Sequence, residues 1–247
     1  MLYVSVHIPK TAGTSFASSL KHAFSPNEIQ FDYQHERDHA LVAAQGVEPL
    51  GTHQKWLSLN LPQLAWRYRK DLTQLPKSVQ LVHGHFPAQK YHRALTWRKP
   101  FYITWVREPF ARAVSNYFYW QTFDPDTMPD PLVRTVLSEN WDLETYLFHP
   151  ALRNYQSMFL KGLPWQRIDF IGVTETLTQD LATLSQLIKR PLKPFVQNTG
   201  PRPKAAHTYD YLRERFLAYH HRDAQLYQYA LQRQETQNQS TTIKTNT

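Results

Sequence analysis

Three short clusters in the chain carry side chains able to do chemistry, and each follows an apolar run. The first, His7-Ile8-Pro9-Lys10-Thr11-Ala12-Gly13-Thr14-Ser15-Phe16, sets a lysine, hydroxyls and a glycine between a strand-like stretch and a helical one. The N–H groups that open a helix have no partner within it, and the helix dipole favours negative charge in front of them. A lysine and hydroxyls at that point make an anion cradle suited to phosphate. The residues that would form it are Lys10, Thr11, Ala12, Gly13, Thr14 and Ser15. Only 7 glycines occur in 247 residues, which argues that Gly13 is there for close approach of the backbone. The order G-x-x-x-x-G-K-[ST] is absent, because Lys10 precedes the single glycine; nucleoside triphosphate chemistry is thereby disfavoured. The same residues also suit a plain helix start, with Thr14 or Ser15 as cap and Lys10 in solvent.

The second cluster is Arg107-Glu108-Pro109-Phe110-Ala111-Arg112-Ala113-Val114-Ser115-Asn116-Tyr117. Arg112 and Ser115 are three apart and share a helix face, while Arg107 stands at a strand's C-terminal end, on the same sheet edge as the first loop. A guanidinium plus a hydroxyl suits a terminal phosphate, so the two clusters could grip one nucleotide at two places. An arginine-rich solvated face paired with Glu108 is the plainer alternative. The third cluster is His83-Gly84-His85, two imidazoles that titrate near neutrality after a short apolar run.

The elements that must position these groups are legible as alternating strands and helices. Strands are predicted over 2–6, 79–83, 101–106 and 168–173, and helices over 14–24, 109–121, 134–160, 175–189 and 209–231. Phe16, Leu20 and Phe24 give the first helix an apolar stripe, and Pro109 suits a helix's first turn. Such alternation implies βαβ units and an α/β fold with a central, mostly parallel sheet. Residues 35–75, broken by Pro49, Gly51 and Pro62, read as an insertion of underivable packing. One domain is expected over 1–233, with a polar, disordered tail over 234–247.

Composition narrows the class of protein. With 41% hydrophobic and 14% aromatic residues the chain is globular, and no run approaches the roughly 18 apolar residues of a membrane-spanning helix. The absence of cysteine excludes disulfides, cysteine-ligated zinc, iron–sulfur clusters and thiol catalysis. A formal charge of +8 favours anionic ligands without naming them. The first strand-like run begins at Leu2, leaving no room for a signal peptide, so a cytoplasmic protein is expected. No H-E-x-x-H occurs, and His-Gly-His on an extended segment lacks further zinc ligands, so no metal is expected.

Taken together and in this order, the motifs resemble sulfotransferases that use 3'-phosphoadenosine 5'-phosphosulfate, and within them the sulfotransferase family 2, or heparan sulfate (uronyl) 2-O-sulfotransferase-like, group. His7–Phe16 resembles the 5'-phosphosulfate loop, Arg107–Tyr117 the 3'-phosphate motif, and Val82-His83-Gly84-His85 the His-Gly-His segment that carries the catalytic base. Phe170-Ile171-Gly172-Val173-Thr174-Glu175 and Asp223-x-x-Leu226-Tyr227 resemble later landmarks. The likeness runs from residue 2 to about 231. Lacking the amino-terminal membrane anchor and the cysteines of Golgi members, the chain looks like a soluble, bacterial relative.

The resemblance implies a P-loop-NTPase-like three-layer sandwich and in-line transfer of a sulfuryl group to an acceptor hydroxyl, that of a saccharide being favoured. Adenosine 3',5'-bisphosphate leaves. Lys10 would neutralise the bridging oxygen and residues 11–15 hold the 5'-phosphate; Arg107 and Ser115, with Arg112 a weaker candidate, would hold the 3'-phosphate. His85 would be the general base, with His83 orienting it or touching the acceptor, and Asp32 or Glu36 the alternatives. Asn198, Arg202 and Lys204, in the basic stretch 189–204, are further candidate contacts, and aromatic residues over 91–97 and 117–120 could stack a sugar. No nucleic acid partner is expected. The residues leave two other readings open: a non-catalytic polyanion-binding protein, and a nucleotide kinase.

Overall fold

Short apolar runs too brief to be helices supply the strands of one parallel sheet. The computed structural model describes residues 1–33, 75–94, 99–195 and 206–245. Its elements are β1 (Tyr3–Val6), α1 (Gly13–Ala23), β2 (Ile29–Phe31), β3 (Leu81–Gly84), α2 (Gln89–Ala94), β4 (Phe101–Val106), α3 (Pro109–Trp120), α4 (Pro131–Ser138), α5 (Leu143–Phe148), α6 (Tyr155–Phe159), β5 (Phe170–Val173), α7 (Leu177–Ile188), α8 (Arg213–Tyr219) and α9 (His221–Thr245). The strand order is β2-β3-β1-β4-β5. Every pairing is parallel, so all C-terminal strand ends reach one edge. Val6 pairs with both Gly84 and Thr104, which sets the loops after β1, β3 and β4 side by side.

Because a parallel sheet is covered on both faces, its strands are apolar on both. Val4, Val6, Val82, Tyr102, Val106, Ile171 and Val173 pack under α3, α5, α6 and α9. Leu81, Ile103, Trp105 and Phe170 pack instead with Phe16 and Leu20 of α1 and Leu181, Leu184 and Ile188 of α7. The result is a three-layer α/β sandwich around the parallel sheet that the alternation predicts. The β3 register puts His83 on the α1 side, opposite Ser5 of β1.

Helix starts follow local chemistry. Glu108 caps α3 by accepting from the N–H groups of Phe110 and Ala111, with Pro109 in the first turn; Asp130 and Asp142 do the same for α4 and α5. α1 differs: its N-cap is Ala12, which brings no side-chain cap.

Several sequence expectations are corrected. The single helix expected over 134–160 is α4, α5, a 3-10 turn at Pro150–Leu152 and α6, because Asn140 and Asn154 take left-handed φ (49° and 55°) and Asp142 and Pro150 each start a new segment. The helix expected over 209–231 likewise divides into the 3-10 segment Ala206–Leu212, α8 and α9, with a break at His220. β2 was unforeseen, since three residues are too few to show a period. α9 runs from His221 to Thr245. Arg233 donates to the carbonyls of Ile168 and Asp169, and Gln234 to Thr176 and Asp180, so tertiary bonds hold this stretch of the helix. Nearly all of residues 35–75 lies outside the described residues. Among the described residues no helix is long and apolar enough to cross a membrane.

Candidate functional site

The loop after β1 is built around two non-glycine residues in the left-handed region, Lys10 (φ 70°) and Ala12 (φ 62°). Backbone of this kind is costly and persists where its surroundings hold it. Ile8 is anchored in the core, and the buried Thr11 hydroxyl donates to the Ile8 carbonyl (2.8 Å). Thr11 therefore braces the loop with its hydroxyl, a different task from the phosphate contact expected of it. The first hydrogen bond of α1 runs from Phe16 N–H to the Ala12 carbonyl (3.1 Å). The N–H groups of Gly13, Thr14 and Ser15 thus open the helix without an intrahelical acceptor, and Thr14 is exposed.

Gly13 is held to glycine by a neighbour. A Cβ there would lie 1.5 Å from Nε2 of His7, so the imidazole of His7 occupies the space a side chain would need. Gly84 is likewise required by a neighbour, since its Cβ would fall 1.9 Å from the Asp32 carbonyl oxygen.

Lys10 and Arg107 meet across the edge of the sheet. The Arg107 guanidinium donates to the Lys10 carbonyl (3.4 Å), and the Lys10 ammonium lies 4.0 Å from the centre of the Tyr119 ring. Burial, then the nearby Arg107 charge, lowers the Lys10 pKa from its ordinary value. Ser115, half-buried, is two turns into α3. Arg112 is brought elsewhere: it is 2% exposed, and its guanidinium lies over the Tyr155 ring at 4.4 Å, with Nε and Nη1 unpartnered. It faces the layer between α3 and α6 because positions 112 and 113 fall on the buried stripe of α3.

The histidines form a stack whose middle member the sequence did not single out. The His7 ring lies between His85 (centroids 4.1 Å apart, planes at 26°) and His83 (5.2 Å, 16°). Tyr33, 41% exposed, closes the group over His85 at 5.1 Å. Nδ1 of His85 is 3.0 Å from the His7 carbonyl oxygen. A carbonyl only accepts, so Nδ1 carries the hydrogen and Nε2 of neutral His85 is left with the lone pair. His83 is buried, with Nδ1 2.8 Å from the Ser5 hydroxyl, and so is out of an acceptor's reach. His7, and not His83, is the residue against His85. Burial, with the charge His85 can carry next, holds the pKa of His7 well below its usual value and that of His83 down at about 3. Both are neutral at pH 7. A signal for His7 was present in the sequence, as the first polar residue past β1.

Of the alternative bases, Asp32 is buried, ion-paired with Lys90 (2.6 Å), and accepts from the Tyr91 hydroxyl (2.7 Å). Its carboxylate is committed to that pair. Glu36, Asn198, Arg202 and Lys204 lie outside the described residues. Among the described residues no group of three or more metal-ligating side chains converges.

No protein-family model matches the chain, and no curated protein matches it. Solved structures similar to it include two sulfotransferases. One is mouse sulfotransferase SULT7A1 complexed with PAP, at 13% identity over 93% of this chain and 89% of that one, with a TM-score of 0.46. The other is a sulfotransferase from Alicyclobacillus acidocaldarius, at 14% identity over 92% of this chain and 94% of that one, again with a TM-score of 0.46. Likenesses of that strength carry no residue role across to this chain.

Proposed function

We propose that the protein is a sulfotransferase of the 2-O-like type that takes 3'-phosphoadenosine 5'-phosphosulfate as donor and a saccharide hydroxyl as acceptor. The observation that carries this is the convergence, at one sheet edge, of an uncapped helix start, the Lys10–Arg107 pair and an imidazole whose Nε2 is kept as the acceptor. The fit to the donor is chemical. Left-handed backbone beside free helix N–H groups suits a 5'-phosphate, and a guanidinium across the edge suits a second phosphate.

Residues 12–15 and Lys10 would bind the 5'-phosphate, and Arg107 with Ser115 the 3'-phosphate. Bound there, the donor supplies a sulfuryl group, whose S–O bond to the 5'-phosphate breaks as an acceptor oxygen bonds to sulfur. Nε2 of His85 takes the acceptor's proton, and Nδ1–H stays on the His7 carbonyl throughout. Lys10 neutralises charge gathering on the leaving phosphate oxygen, an electrostatic role that dominates transfers of this type. The exposed rings of Tyr33 beside His85 and Tyr119 beside Lys10 offer faces on which a sugar can stack.

Thermal unfolding with adenosine 3',5'-bisphosphate, 5'-AMP and ATP in parallel tests the donor site without an acceptor. At about 100 times its dissociation constant a specific ligand stabilises the native state by roughly 2.7 kcal/mol, a shift of a few degrees. A shift with the bisphosphate well beyond that with the other two is expected. Equal shifts with all three, or none, would remove the donor assignment and favour polyanion binding.

A further inference from the structure

Arg107 is the first residue past β4, where strand pairing no longer takes up its main-chain groups. One buried side chain does so instead. Arg107 N–H donates to Oε1 of Gln156 (3.0 Å), and Nε2 of Gln156 donates back to the Arg107 carbonyl (2.9 Å). Gln156 is fully buried, and its own N–H donates to Oδ2 of Asp223 (2.9 Å) while Ser157 N–H donates to Oδ1 (2.8 Å). The Asp223 carboxylate thus holds the first turn of α6, whose N-cap Asn154 makes no side-chain cap bond of its own.

The corner between α8 and α9 docks on the same turn. Asn154 N–H donates to Nδ1 of His220 (3.0 Å), Arg222 N–H donates to Oδ1 of Asn154 (3.0 Å), and Nε2–H of His220 donates to the Leu147 carbonyl (2.8 Å). On the other side of Arg107, Glu108 N–H donates to Glu175 (3.0 Å), and the Glu108 carboxylate pairs with Arg213 (2.9 Å). The backbone from which the Arg107 guanidinium reaches Lys10 is therefore fixed by side chains from three distant segments.

We propose that Gln156 and Asp223 are positioning residues for Arg107 and set the selectivity of the site for a nucleotide that carries a 3'-phosphate. This rests on the functional reading above. A guanidinium grips a phosphate through two hydrogen bonds of fixed geometry, so its selectivity depends on where its backbone is held, whereas the helix start at residues 12–15 needs no such clamp.

The test is titration calorimetry of the full chain with adenosine 3',5'-bisphosphate and with 5'-AMP. Gln156→Met keeps length and volume and removes both bonds to Arg107. It is expected to weaken the bisphosphate about tenfold and leave 5'-AMP within about twofold; Asp223→Asn should act in the same direction. Equal loss for both nucleotides, or unchanged affinity for both, would overturn the positioning role while leaving the donor site standing. If the wild type itself does not prefer the bisphosphate, the functional reading fails and the inference with it. Should Gln156→Met not fold, amide exchange in the wild type decides: an Arg107 N–H that exchanges only through global unfolding supports the clamp, and one that exchanges as fast as an open loop overturns it.

Discussion

At the scale of single residues, what distinguishes His85 is how firmly one neighbour sets its ring. Its Nδ1–H is occupied by the His7 carbonyl and its ring lies on the His7 imidazole, so orientation and tautomer are both fixed from one neighbour. His85→Ala is expected to lower turnover by about 10²–10⁴ while leaving bisphosphate affinity within a few-fold, read by sulfate transfer and by calorimetry. A variant with undiminished turnover would move the base to another group. Asp32 is a poor substitute in this fold, since taking a proton would break its buried pair with Lys90.

At the scale of elements, α1 and the end of β1 are mated through Gly13 and His7. Alanine in a helix is favoured over glycine by up to about 1 kcal/mol, but here its Cβ would sit 1.5 Å from the His7 ring. Overpacking costs of about 1–3 kcal/mol outweigh that gain. Gly13→Ala should therefore destabilise in urea unfolding, and in a His7→Ala background the same change should become neutral or stabilising. Additive effects in that cycle would contradict the close approach. α3 shows the converse design: its start is satisfied by the Glu108 carboxylate, whereas the start of α1 has no side-chain cap.

At the scale of the whole molecule, buried neutral histidines link stability to pH. His83 and His220 have folded pKa values lowered to about 3 and about 4, chiefly by burial, and His7 is lowered well below its usual value for the same reason. Below an unfolded value of about 6.5 the unfolded chain takes up protons that the folded chain refuses. Their contribution is thus fully present above about pH 6.5 and is lost as pH falls toward 4, each histidine adding about 1.4 kcal/mol per pH unit. Asp180 and Asp223, raised by burial, work in the opposite sense. Comparison of the urea midpoint of the wild type with that of His83→Asn isolates one histidine. A shallower decline between pH 6 and 5 is expected for the variant, and identical slopes would count against a buried, neutral His83.

Local pattern was enough to recover β3, β4 and α3, though not the short α2 between the two strands, and with them the loop before α1 and the placing of Lys10 and Arg107 on one edge. These follow from periodicity, helix-start chemistry and the rule that parallel strands end together. Asn140, Asn154 and Pro150 were equally readable as breaks, but the apolar positions between 134 and 160 masked them. Other features depend on contacts between residues far apart in the chain. Thr11 turned inward, Arg112 packed on Tyr155, His7 entered the stack between His83 and His85, and Gln156 clamped Arg107 across 49 positions. Sequence by itself determined which residues reach the sheet edge, because strand ends and helix starts are local. Only the tertiary structure decided which of them face the site, because burial and long-range hydrogen bonds assign each side chain its partner, and those partners come from elements that no local spacing relates.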